Sequence, residues 1–152
     1  PDTHWTLSIS GTVLNAYLTT DFCNYDSSGA ATDCAPKGTP LTTQPKYKLN
    51  ASARYDFKVD DYKPFVEADV QTQGSTRSQL FNADEAAEGP TPAFTTVDLS
   101  AGLSHNNWTF SVFVQNLADK TIALLQFQNA GAPLANRYNA PRTVGANIIY
   151  RW

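Results

Sequence analysis

Apolar and polar residues alternate along most of this chain with a period of two, the period of a β-strand with two different faces. Between 5 and 17, Trp5, Leu7, Ile9, Val13 and Tyr17 share one parity, and Thr6, Ser8, Ser10 and Thr12 hold the other. Tyr47, Leu49, Ala51, Ala53, Tyr55 and Phe57 alternate with Lys48, Asn50, Ser52, Arg54 and Asp56. The same pattern returns over 66–71, 96–104, 108–115 and 144–152, broken only by Phe113 and Ile149 on the polar side. Six strands are expected. The stretch 82–88 holds helix formers but is short and has no apolar stripe, so no helix is expected there. The run 122–127 is apolar without alternation and reads as a strand extension or a short piece inside a loop.

The connections add a second constraint. Tight turns at 58–61 and 105–107 alternate strictly with long loops at 20–45, 77–93 and 118–142. A soluble sandwich has no reason to do this, whereas a membrane barrel has short periplasmic turns and long outer loops. Both chain ends then fall on the periplasmic side. Trp5, Tyr55, Phe57, Tyr62, Trp108, Tyr150 and Trp152 cluster near that end, as a girdle of amphipathic rings at a membrane interface would. Tyr17 and Tyr47 would mark the outer interface. About ten residues rising ~3.3 Å each at a tilt of ~40° cover roughly 25 Å, the height of the apolar band. The expected fold is all-β, an antiparallel transmembrane β-barrel segment of about six strands. Single-chain barrels begin at eight strands, and an open sheet in lipid leaves unsatisfied edges. Further strands must therefore close it.

Composition agrees where it bears on this. A polar mean hydropathy is compatible with a barrel, because lipid-facing and lumen-facing residues average out. Net charge is −3 with no basic stripe, which argues against a nucleic-acid partner. The chain starts at Pro1, has no Met and carries no targeting pattern, so it reads as part of something larger. Cys23 and Cys34 sit in one Gly/Ser/Asp-rich stretch. They suggest a loop disulfide in an oxidising compartment, worth about 2–3 kcal/mol by chain entropy; two unrelated free thiols are the alternative. A zinc site would need more ligands nearby.

The stretch NNWTFSVFVQNLADKT, followed by a loop and NAPRTVGANIIYRW, resembles the end of TonB-dependent outer-membrane receptors. The matching residues are Asn116, Leu117, Asp119 and Lys120, then Pro141, Arg142, Thr143 and Gly145, then a terminal aromatic, Trp152, where Phe is usual. The segment GTPLTTQPKYKLNASARYDF is similar to an earlier loop and strand of the same barrels. The resemblance implies a 22-stranded barrel with an N-terminal plug and a TonB box, neither of them in this chain. Its implied activity is TonB-coupled import of a scarce nutrient such as a ferric siderophore across the outer membrane of a Gram-negative bacterium. The implied partners are the remaining strands and plug, lipid, the TonB complex, a small-molecule substrate and the barrel-assembly machinery. That machinery would read Ile148, Tyr150 and Trp152. No cofactor is implied, and no substrate-binding residue transfers.

The alternatives are a passive porin-like or structural barrel and a soluble β-sandwich binding module. Catalysis finds little support. His4 and His105 lie at turns, Ser104 and His105 point to opposite faces, and no carboxylate is placed to orient either ring. The lumen-facing Lys48, Arg54, Asp56, Glu67, Asp69 and Asp98 are expected to pair across strands. Asp84, Glu85 and Glu88 are expected to be solvated, with cation binding the sharper reading but no Ca²⁺-loop spacing to support it.

Overall fold

The structure, a computed structural model, describes residues 4–127 and 135–152. Six strands form one antiparallel sheet: β1 (Trp5–Val13), β4 (Tyr47–Asp56), β5 (Lys63–Gln73), β6 (Phe94–His105), β7 (Trp108–Gln115) and β10 (Thr143–Tyr150). They pair in sequence order, an up-and-down meander with β1 and β10 as its edges. The alternation in the sequence sets the faces. Register rows such as Leu7–Ala53–Ala68–Leu99–Val114–Val144 are apolar throughout, while the adjacent row Ser8–Ser52–Asp69–Asp98 is polar.

The short connections are two-residue turns. Val59 and Tyr62 exchange both backbone hydrogen bonds (3.1 and 2.9 Å), and Asp60 takes a positive φ of 54°. At the other turn Asn106 does the same, with φ 50°, between the paired residues His105 and Trp108. Such turns match the twist of the flanking strands and need residues that accept φ > 0.

The long loops carry structure of their own. The first holds a hairpin, β2 (Phe22–Tyr25) with β3 (Ala31–Ala35). The third holds another, β8 (Ala123–Phe127) with β9 (Ala135–Tyr138), so the apolar run at 122–127 is a loop strand and not an extension of β7. The second holds a helix, α1 (Asn82–Glu88), where the sequence pattern predicts none. The missing apolar stripe misleads because α1 is held by polar contacts. Glu85 accepts the amides of Ser78 and Gln79, both at 2.9 Å, and Glu88 accepts Gln79 Nε2 at 2.9 Å.

Two strand ends also differ from the sequence pattern. The first strand stops at Val13, and Tyr17 instead makes an isolated bridge to Pro40 in the first loop. The last stops at Tyr150, leaving Trp152 fully exposed beyond it. Parity continues past both points, but residues 16–18 bond to 38–41 of their own loop instead of continuing along β4, and past Tyr150 the backbone contact is between Arg151 and Asn107 of the turn.

The sheet has almost no core. Among the described residues only Ala35, Phe65 and Ile122 are buried hydrophobics, while Leu7, Ile9, Val13 and Val144 remain 72–88% exposed. A chain of this size ordinarily buries its apolar strand face. Here that face is continuous and uncovered.

Candidate functional site

Three regions carry the chemistry: the polar wall, the ring cluster at the turn end and the loop end. On the polar wall, Arg54 is the centre. Its guanidinium binds Asp56 at 3.0 Å and Glu67 at 3.2 Å and lies over the Phe65 ring, 3.7 Å from its centroid. Fork-shaped donors suit this double pairing. Phe65 in turn lies across Gly102, its register partner on β6. Phe113 covers Gly145 on β10 in the same way. An aromatic ring over a strand glycine fills the missing side chain and pins the register.

The expected cross-strand pairing holds at Arg54 but not along the whole wall. Asp69 lies opposite Asp98, another acid, and Asp98 accepts the backbone amide of Asn116 at 2.8 Å. Asp69 and Asp98 share a shallow depression with Ser8, Ser10, Asn50 and Thr96. No group of three or more metal-ligating side chains occurs among the described residues.

At the turn end the predicted aromatics meet. Tyr55 packs on Trp5 (4.8 Å between centroids) and on Phe57 (4.6 Å), and Trp108 packs on Tyr150 (4.7 Å). Tyr62 stacks on His105 at 4.4 Å. Trp152 stands outside this cluster, past the end of β10. Ile148 and Tyr150 lie on the exposed apolar face.

At the opposite end, the two halves of the terminal motif form one clasp. Asn116 is 6% exposed and adopts a positive φ of 52°. Its Nδ2 donates to the carbonyls of Lys120 (2.9 Å) and Ala140 (3.1 Å), and its Oδ1 accepts the Lys120 amide (3.0 Å). Asp119 accepts the Arg142 amide at 2.8 Å, and Leu117 donates its amide to Val97 on β6. Lys120 Nζ reaches the Thr95 carbonyl at 3.3 Å. Pro141 follows Ala140 into β10, its carbonyl accepting the Thr143 hydroxyl at 3.1 Å. The motif thus ties both ends of the third loop to the top of the sheet. Asn139 contributes as well, accepting the Ile122 amide at 2.7 Å. It is not among the matching residues of the resemblance, and its only signal in the sequence is its place at the head of the NAPRTVG stretch.

In the first loop, Cys23 and Cys34 are joined in a disulfide between register partners of β2 and β3. The hairpin turn is closed by Asp26, which accepts the Ser28 hydroxyl (2.6 Å) and the amides of Ser28 (2.9 Å) and Ala30 (3.0 Å). These bonds, the Ser28 hydroxyl first, hold the Asp26 carboxyl below its ordinary value of 3.8. The folded value is depressed, so the turn is supported above that ordinary value. The support is lost as pH falls through the folded one. An NMR titration of the Asp26 carboxyl carbon is expected to show a midpoint below 3.8. A midpoint at or above that value would remove the assignment.

The model of the family described as TonB dependent receptor-like, beta-barrel, matches residues 2–117. The match covers the strands up to the start of the clasp. No curated protein matches the chain. Among solved structures, the chain is similar to the ferric yersiniabactin uptake receptor FyuA from Yersinia pestis. The TM-score is 0.68 at 18% identity, over 97% of this chain and 21% of that one. It is also similar to BauA, the ferric preacinetobactin receptor from Acinetobacter baumannii, with a TM-score of 0.60 at 15% identity, over 99% of this chain and 28% of that one. The chain therefore spans between a fifth and a third of the length of these structures, and likeness at such identity carries the fold alone. With most of its length matched by the family and its sheet laid out as part of a barrel, the chain belongs to the TonB-dependent receptor-like β-barrels, as a segment of such a barrel.

Proposed function

We propose that this chain is the C-terminal part of an outer-membrane receptor that imports a scarce, chelated nutrient, a ferric siderophore or a ligand of that kind, with energy coupled through TonB. The observation that carries the reading is the sheet itself. One face is apolar and uncovered, the other is polar, and both edges are open. In lipid, this arrangement is stable only once further strands pair with β1 and β10 and close the barrel. The apolar rows then face acyl chains, and the rings around Trp5, Tyr55, Phe57, Trp108 and Tyr150 sit at the periplasmic headgroup level. The Arg54 wall faces a lumen that a plug domain elsewhere in the receptor would fill. Its site is the outer membrane of a Gram-negative bacterium. FyuA and BauA are named as receptors for ferric yersiniabactin and ferric preacinetobactin, which sets the first ligand class to try.

The test is uptake by the complete receptor in cells deleted for their own siderophore receptors. Accumulation of labelled ferric siderophore is expected with TonB present and lost in a tonB-deleted strain. Accumulation independent of TonB would favour the porin-like reading. A soluble sandwich would need a second layer over the Leu7–Val144 face, and none of the described elements provides one.

The terminal aromatic carries a separate expectation. Ile148, Tyr150 and Trp152 form the signal for the barrel-assembly machinery, and Trp152 is free of packing within the sheet. Its deletion is expected to lower the amount of receptor inserted in the outer membrane several-fold while leaving the folded barrel as stable as before. Undiminished insertion would remove this role.

A further inference from the structure

The first two long loops meet above the β4–β5 ladder, which ends where the Gly74 amide donates to the Tyr47 carbonyl at 3.0 Å. The Thr43 amide donates to the Arg77 carbonyl at 2.9 Å, with Thr43 held at a positive φ of 58°. Between these points a small crevice has Pro40, Leu41 and Gln44 on one wall and Thr76, Arg77 and Pro90 on the other. A further contact comes from the Phe22 ring at the open end of the β2–β3 hairpin, which stacks on the Phe81 ring, 6.0 Å between centroids and 28° between planes.

The residues at the ring contact matter most. Phe22 opens β2 and is the chain neighbour of Cys23, whose disulfide to Cys34 ties β2 to β3. Phe81 is the residue before α1, and it offers no side-chain cap to the helix. Helices this short are marginal without tertiary support. The first α1 hydrogen bond, from the Glu85 amide to the Phe81 carbonyl at 3.0 Å, starts at the residue that Phe22 holds. Glu85 and Glu88 bind back to Ser78 and Gln79 and so lock the second loop onto itself. They do not fix it to anything else. The second loop is held from outside by the Arg77 backbone, by the Ser78 hydroxyl, which reaches Gln126 Oε1 on β8 at 3.5 Å, and by the Phe81 ring; of these, the ring is the contact at the start of α1.

We propose that the Cys23–Cys34 disulfide holds α1 in place through the Phe22–Phe81 contact, so that the first and second loops behave as one braced body. Its reach exceeds the ten residues it encloses. An intact hairpin keeps Phe22 positioned; an opened one lets Phe22 swing away and frees the helix start.

The test is hydrogen exchange read by mass spectrometry on the complete receptor in detergent micelles, following peptides over 77–89. Opening the disulfide by Cys23→Ser with Cys34→Ser is expected to speed exchange there about threefold or more, since local opening sets the rate. Phe81→Ala is expected to do the same. Adding the two cysteine substitutions to Phe81→Ala is expected to change little further, because contacts acting in one chain of support are not additive. Exchange in β4–β7 peptides is expected to stay at the parent rate, which confirms that the barrel has folded. If a variant fails to assemble, a membrane-impermeant reductant applied to the assembled parent gives the same comparison. Unchanged exchange over 77–89 after the disulfide opens would overturn the proposal, as would fully additive effects of the two changes.

Discussion

Gly102→Ala is expected to destabilise the barrel by about 2–3 kcal/mol, the upper part of the range for forcing atoms into a packed site. A Cβ at this position would overlap Phe65 Cε1 and lie 2.5 Å from Phe65 Cζ and 2.7 Å from the Phe110 carbonyl oxygen. The ring cannot move away freely, because Arg54 covers its other face and is itself held by Asp56 and Glu67. The carbonyl belongs to the neighbouring strand and cannot move without breaking the ladder. Urea unfolding of the receptor refolded into lipid vesicles would measure the loss. Phe65→Leu is expected to recover part of it in the double variant, since it removes the ring but not the carbonyl. A Gly102→Ala barrel as stable as the parent would show that the ring does not lie across the glycine.

The clasp should be nearly as sensitive. Asn116→Ala removes three hydrogen bonds from a buried side chain and leaves the Lys120 amide and two carbonyls to find other partners. It also places alanine at φ 52°, a conformation that costs an L-residue with a Cβ about 1–2 kcal/mol. A combined loss of about 2–4 kcal/mol is expected. Asn116→Gly separates the two causes, because it loses the same bonds but accepts the backbone angle; it should be milder by about 1 kcal/mol. Asp119→Ala should cost about 1–2 kcal/mol, because it too puts alanine at φ 52° and removes the acceptor of the Arg142 amide; the half-exposed ion pair with Arg142 adds little. Limited proteolysis supplies a second readout. The Asn116 variants are expected to be cut within 118–142 at protease levels that leave the parent intact. Equal damage from alanine and glycine would mean that the backbone angle does not matter.

The sequence carried the sheet because the physics there is local. A strand with one wet and one apolar face must alternate, so Leu49, Ala51, Ala53 and Tyr55 could be placed on one face without knowing any neighbour. Connection length then ordered the strands, as two-residue turns force adjacent antiparallel pairing. The disulfide was legible for a related reason, as two cysteines eleven residues apart in a loop lie within reach of one another. The aromatic cluster followed from counting back from the turns.

The clasp was legible only as a pattern. Resemblance singled out Asn116, Leu117, Asp119, Lys120, Pro141 and Arg142, but nothing in their spacing says that Asn116 bonds Ala140, twenty-four residues on. The family match ends at Leu117, so the same conclusion about family is reached mostly from strands upstream of that pattern and without the final strand.

What the sequence determined by itself was the number of strands in the sheet, which side chains share a face, which connections are tight and which end gathers the rings. Each of these depends on residues within a few positions of one another. Only the tertiary structure decided that α1 exists, that Tyr17 and Trp152 leave the sheet, that Asp69 faces another acid, and that Phe65 and Phe113 lie over glycines. Those outcomes depend on what a neighbouring strand or loop presents at a given height. Residues distant in sequence supply it, and a one-residue shift in register would change every partner.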